Sequence, residues 1–257
     1  MDPLYTLSGF VVGAIVGLTG VGGGSLMTPL LVLLFGIHPA TAVGTDLLYA
    51  AVTKAGGTVV HGRKGHIDWK ITGLLAAGSL PAAALTVWGL SHLPKSSAEV
   101  SHLISFSLGI ALLLTALAIV FRKQFVDYAL SHGETAYRRH LGTITVVVGI
   151  VLGVLVSISS VGAGALGTAA LFFLYPKLPA IRIVGSDIAH AVPLTFVAGL
   201  GHWWLGSVDW ALLGSLLLGS LPGIWLGSHV SSKVPERILR RILASMLVLI
   251  GAKLIAA

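Results

Sequence analysis

The feature that most limits what this chain can become is a glycine-rich run, Val21-Gly22-Gly23-Gly24-Ser25-Leu26-Met27-Thr28. It returns 140 residues later as Val161-Gly162-Ala163-Gly164-Ala165-Leu166-Gly167-Thr168. Each copy follows one apolar, helix-like segment and opens another. Glycine reaches backbone conformations that other residues resist, and clustered glycines hold a helix poorly. Inside lipid, such a break survives only where it is buried in protein or lines a cavity. Glycines placed only for close helix packing need no such density. The duplicated break therefore points to the central site of a transporter. The amides just before Leu26 and Leu166 would be helix N-terminal donors suited to an anion.

Composition sets the surroundings. Of 257 residues, 55% are hydrophobic and 10% charged, with a mean hydropathy of +0.95. Soluble domains carry about 25% charged residues, so the chain is predicted to be an all-α polytopic membrane protein with no separate soluble domain. The absence of cysteine excludes disulfides, thiolate metal sites and cysteine-based sulfur relays. Met1-Asp2-Pro3 lacks the basic region of a cleaved signal peptide, so the first apolar stretch reads as a membrane segment. In such a chain a net charge of +7 reads as a positive-inside bias and not as a nucleic-acid footprint.

Apolar segments are predicted at about 4–18, 25–35, 42–60, 69–90 and 100–121, then 141–159, 163–175, 183–204, 210–229 and from 238 onward. Ile37-His38-Pro39 is expected to end the second segment and Pro81 to kink the fourth. At an offset of 141, Val43-Gly44-Thr45-Asp46, His61, Asp68-Trp69 and Gly78-Ser79-Leu80-Pro81 match Val184-Gly185-Ser186-Asp187, His202, Asp209-Trp210 and Gly219-Ser220-Leu221-Pro222. This is an internal repeat: 1–121, a cytoplasmic linker 122–140, and 141–257.

Charge orients the two copies. If each half crosses five times, or three times after a re-entrant hairpin, 13 of the 16 Lys and Arg residues, from Arg63 and Lys64 to Arg240 and Arg241, share one face. Only Lys95 then lies in a loop on the other face. Four crossings per half would divide the same residues seven against six. The positive-inside rule selects the first arrangement, two inverted repeats with both termini outside.

Ionisable groups within membrane segments are costly, about 2.5–3.5 kcal/mol each, and so are functional candidates. Asp46 and Asp187 follow Thr45 and Ser186 near the starts of segments three and eight, where a first-turn acid would also be favoured by the helix dipole. Lys54 lies deeper and has no counterpart, since Thr195 occupies its place. It suits attraction of an anion, or neutralisation of Asp46. His190 lies one turn beyond Asp187, where a neutral packing histidine is the commoner outcome. His61 and His202 sit at segment ends, and Trp69 and Trp210 resemble interface anchors.

These motifs in duplicate resemble the TauE/SafE (TSUP) family of sulfite exporters. The resemblance rests on Gly17-Leu-Thr-Gly-Val-Gly-Gly-Gly-Ser25, Ala42-Val-Gly-Thr-Asp46, Gly78-Ser-Leu-Pro81 and their second-half echoes. It implies secondary transport of sulfite or a small organosulfur anion across a bacterial plasma membrane. The second copy departs from the pattern, with Ala163 and Ala165 in place of Gly23 and Ser25.

The oxyanion is expected to bind at Gly22, Gly23, Gly24, Ser25, Thr28, Lys54, Gly162, Ala163, Gly164, Ala165 and Thr168. Gating or proton coupling is expected at Asp46, Asp187, His190, Thr45, Ser186, His61 and His202. The expected partners are that anion, the lipid bilayer and a second copy in a homodimer, with no nucleic acid and no cofactor. Import, or proton-coupled transport of another small anion, is the alternative within the class. An intramembrane hydrolase with Ser25 as nucleophile and His190 or His202 as base is weakened by Ala165 at the matching place and by the missing Gly-x-Ser-x-Gly frame. A membrane assembly factor would need neither buried ionisable groups nor duplicated breaks.

Overall fold

The computed structural model describes residues 3–19, 24–93, 98–121, 124, 127–128, 140–230 and 236–256. The chain is an all-helical polytopic membrane protein. Its helices are α1 (Pro3–Thr19), α2 (Gly24–Leu33), α3 (Pro39–Arg63), α4 (Trp69–Ser91) and α5 (Ala98–Val120), then α6 (Leu141–Ser159), α7 (Ala165–Leu174), α8 (Ala180–Trp204), α9 (Trp210–Val230) and α10 (Glu236–Ala256). Among the described residues, five helices are long and apolar enough to cross a membrane: α4, α5, α6, α8 and α9. The two half-length helices, α2 and α7, have 10 residues each, about 15 Å at 1.5 Å per residue. Most of the 122–140 linker lies outside the described residues.

Three expectations shift. Segment two stops at Leu33, where Gly36 (φ +63°) makes the turn, and Pro39 opens α3 instead of closing α2. Proline at a first helical position forfeits no hydrogen bond. The α8 helix starts at Ala180, with Pro179 as its N-cap, ahead of residue 183. Pro81 lies inside α4, as expected of the fourth segment.

Small residues fix which helices touch. α1 lies parallel to α9, and α6 lies parallel to α4. A methyl group added at Gly9 would sit 2.4 Å from the Leu216 carbonyl oxygen, and one at Gly149 would sit 2.3 Å from that of Leu75. At Gly13 and Gly153 the same addition would come within 2.5 Å of the Ser220 and Ser79 carbonyl oxygens. Without a hydrophobic drive between helices in lipid, this backbone-to-backbone approach is what makes the pairs cohere. The third helices of the halves cross antiparallel, with Gly44 against Ser207, Gly199 against Leu48 and Gly57 against Ile188. The fifth helices also run antiparallel, with Gly109 against Ile255 and Gly251, and Leu113 against Gly251. The core beneath them is aliphatic and includes Met27, Leu31, Leu112, Leu216 and Leu247.

Candidate functional site

The second glycine turn explains which of its residues must be glycine. α6 ends at Ser159, and Ser160 turns the chain at φ +59° while its N–H still reaches the Val156 carbonyl at 2.7 Å. Gly162 (φ +116°) and Gly164 (φ +137°) occupy conformations that side-chain-bearing residues rarely adopt. The first copy has glycine at the matching Gly22 and Gly24, whereas Ala163 and Ala165, which replace Gly23 and Ser25, are not at positive φ. Those two departures fall where a side chain is tolerated, while the third, Gly167 opposite Met27, falls where a side chain would meet Asp187.

The Gly162 and Gly164 carbonyls accept the Gly167 and Thr168 N–H groups at 3.1 and 2.8 Å, and no side chain caps α7. Its first amides therefore retain the partial positive charge of a helix start. Gly22, Gly23 and the Ser25 side chain lie outside the described residues. Gly24 and Ser25 open α2.

Around the turns the structure brings together Lys54, Asp46, Asp187, Thr28, Thr168 and Ala163. The Thr28 hydroxyl donates to Asp46 Oδ2, and the Thr168 hydroxyl donates to Asp187 Oδ2 at 2.9 Å. Each aspartate thereby ties a half-helix to the long helix that follows it. The Lys54 ammonium donates to the Ala163 carbonyl, crossing from the first half to the second, and interacts electrostatically with both Asp187 and Asp46. Lys54, Asp46, Asp187, Thr28 and Ala163 are buried, and Thr168 is half-buried.

Each carboxyl keeps its Oδ1 without a hydrogen-bond partner. The cluster therefore holds two acids and one base, and it is neutral only with one proton on the carboxyls. Asp187 fits closely, since a methyl group on Gly167 would lie 2.0 Å from its Oδ1.

His190 is buried beside this cluster and its Nε2 pairs with Ser79 Oγ at 2.8 Å. At the matching place Tyr49 is buried, and Ser220 lies beside it. Sequence reasoning passed over Ser79, Ser220, Tyr49, Ser160 (beside Asp46) and Gly167. The identical Gly-Ser-Leu-Pro tetrads carry the signal for the two serines, which sequence alone reads as marks of the repeat and of the family resemblance and not as site residues.

The remaining candidates bond elsewhere. Thr45 Oγ1 accepts the Asp209 N–H at 3.1 Å, and Ser186 Oγ accepts the Asp68 N–H at 2.8 Å. The buried His202 contacts the Ser157 carbonyl through Nε2 at 2.8 Å. His61 is half-buried in the last turn of α3, its ring 5.8 Å from that of His66.

Comparison with known proteins places this geometry in a family. Residues 5–254 match the family model described as "Sulfite exporter TauE/SafE". A Bacillus subtilis (strain 168) protein described as probable membrane transporter protein YjnA is 42% identical over 258 residues, spanning 99% of this chain and 100% of the relative. Probable membrane transporter protein YdhB of the same organism is 31% identical over 92% of this chain and 93% of its own. MJ0441 of Methanocaldococcus jannaschii, also described as a probable membrane transporter protein, is 25% identical over 97% of this chain and 93% of its own. No solved structure matches the chain.

Proposed function

As the chain belongs to the TauE/SafE family of membrane transporters, we propose that it is a secondary transporter that exports sulfite or a small organosulfur anion such as a sulfonate. Transport proceeds by alternating access around a central site between the two halves. The observation that carries this reading is the buried meeting of the second glycine turn, Lys54 from the first half, and the two Thr–Asp pairs. A sulfite or sulfonate head is a compact oxyanion that needs several convergent donors. The uncapped start of α7, the start of α2 at Gly24 and Ser25, and the Lys54 ammonium would supply them. The family's description as sulfite exporters supports sulfur oxyanions as the substrate class.

The halves act as inverted repeats in the bacterial plasma membrane, with both termini outside. The antiparallel crossings of α3 with α8 and of α5 with α10 support this arrangement, as does the basic face of the loops. Four crossings per half would make matching helices parallel. Export of a monoanion from a negative interior is favoured by about 2.3 kcal/mol per 100 mV, so no second ion is required. A proton-coupled version of the same transport is favoured by one observation, the two-to-one ratio of carboxyl groups to ammonium, each carboxyl with a free oxygen.

Purified protein in proteoliposomes tests the reading. Loaded sulfite, isethionate or sulfoacetate should leave faster than from protein-free vesicles and faster still with an inside-negative potential. No flux for any of these anions overturns the substrate class. Flux that follows a pH gradient and ignores potential replaces uniport with the coupled version.

A further inference from the structure

Two contacts between the halves, at opposite ends of the α3–α8 crossing, follow one plan. At the end where α3 begins, Gly44 lies so close to the α8–α9 turn that an added methyl group would sit 2.2 Å from the Ser207 carbonyl oxygen. The next residue, Thr45, accepts the Asp209 N–H at 3.1 Å. At the end where α8 begins, a methyl group on Gly185 would sit 2.4 Å from the His66 carbonyl oxygen, and Ser186 accepts the Asp68 N–H at 2.8 Å. Asp209 and Asp68 also cap the helices that follow, Asp209 through the Leu212 N–H at 2.9 Å and Asp68 through those of Lys70 and Ile71. Each contact thus fastens the start of one half's fourth helix to the third helix of the other half.

We propose that these two contacts are the gates of the transport cycle. Gly44-Thr45 closes on Ser207–Asp209 at one face, and Gly185-Ser186 closes on His66–Asp68 at the other. Both are closed in this structure, and they open one at a time. The proposal rests on the alternating-access reading above and names the groups that alternate.

The gates part along a seam of backbone and one hydroxyl, so opening exposes polar groups that water at that face can satisfy. The coupling path is one residue long. Thr45 and Ser186 each precede the aspartate that holds a half-helix through Thr28 or Thr168. A shift of α2 or α7 at the turn is therefore delivered directly to the adjacent gate residue. The two gates share geometry but not every bond. The His66 end adds an Arg182–Asp68 ion pair at 3.6 Å and a Thr72-to-Ser186 carbonyl bond at 3.3 Å. The Ser207 end has a fully buried His202 bonded to the Ser157 carbonyl, where its counterpart at the other end, His61, is only half-buried.

The chain has no cysteine, so a single Ser160→Cys reporter at the buried position beside Asp46 reads access to the centre. An impermeant maleimide is applied to right-side-out and to inverted vesicles. The reporter alone should label slowly from both sides. Adding Gly44→Ala should raise the rate about tenfold from one side only, and Gly185→Ala about tenfold from the opposite side only, as expected for the loss of one such contact. If an alanine variant fails to fold, Thr45→Val and Ser186→Ala remove the acceptor without adding bulk and should show the same opposition.

Folded variants that speed labelling from the same side, from both sides or from neither overturn the gates. Opposite-sided labelling without any sulfite or sulfonate flux keeps the gates and overturns the substrate reading. Flux with unaltered labelling does the reverse.

Discussion

Gly167→Ala should destabilise the protein, although alanine is the better helix former. On helix propensity alone, replacing glycine by alanine within α7 would stabilise by about 0.5–1 kcal/mol. The added Cβ, however, would lie 2.0 Å from Asp187 Oδ1 and 3.1 Å from its Cγ, against the roughly 3.0 Å that real contacts keep. The carboxyl must retreat by about 1 Å, which takes the 2.9 Å bond from Thr168 beyond hydrogen-bonding range. The lost bond costs about 1–3 kcal/mol and forced overpacking about 1–3 kcal/mol more. A net loss near 3 kcal/mol lowers Tm by roughly 10 °C for a chain of this size.

Thermal unfolding of the detergent-solubilised protein, followed by tryptophan fluorescence, reads the change. Gly73→Ala serves as the control, because it sits in α4 with open space around it and should hold or raise Tm. Gly167→Ala combined with Asp187→Ala should lose less than the sum of the two single changes, since the atoms struck are gone. A Tm for Gly167→Ala equal to or above the parent refutes the close seat of Asp187 against α7.

Lys54→Met removes the only ammonium that faces Asp46 and Asp187 in the described cluster and frees the Ala163 carbonyl. Breaking such a buried arrangement costs about 3–5 kcal/mol. Thermal unfolding should show that loss, with partial recovery in Lys54→Met/Asp187→Asn, and recovery without substrate binding would mark Lys54 as a ligand as well as a brace. Cysteines introduced singly at Lys64 and Gly206 should label from opposite faces of intact cells, with Gly206 reacting outside. External reaction at Lys64 and protection at Gly206 would reverse the orientation.

The glycine break and the acidic residues inside the helices were legible because each violates what lipid ordinarily permits, and the helical class because lipid forces long apolar segments to satisfy their own backbone. Lys54, Asp46 and Asp187 stand out in apolar sequence, and the structure buries all three. What they bond to was not legible. Thr28 and Thr168 were expected to face the anion, and in this conformation both hydroxyl protons go to aspartates. Thr45 and Ser186 preceded those aspartates at an identical spacing in both halves. Their partners, however, are backbone amides 164 and 118 residues away in sequence, which no local pattern encodes. The close packing of Gly9, Gly13, Gly149 and Gly153 was also hidden. The chain has 33 glycines, and a four-residue spacing among so many does not single out the four that meet another backbone.

The exchange of partners between the halves also sets a timetable for making the protein. α1 leaves the ribosome first, yet the helix its glycines fit against, α9, begins some 190 residues after α1 ends. At about 5–20 residues per second that is a wait of roughly 10–40 s with Gly9 and Gly13 facing lipid or a chaperone. The matching pair, α4 and α6, is separated by only about 50 residues and can close within a fraction of that time. Assembly therefore proceeds from the middle of the chain outward. Helix α1 is thus among the last of these helices to find its place, and Gly9 and Gly13 are what allow so late an arrival to seat against a backbone already in position.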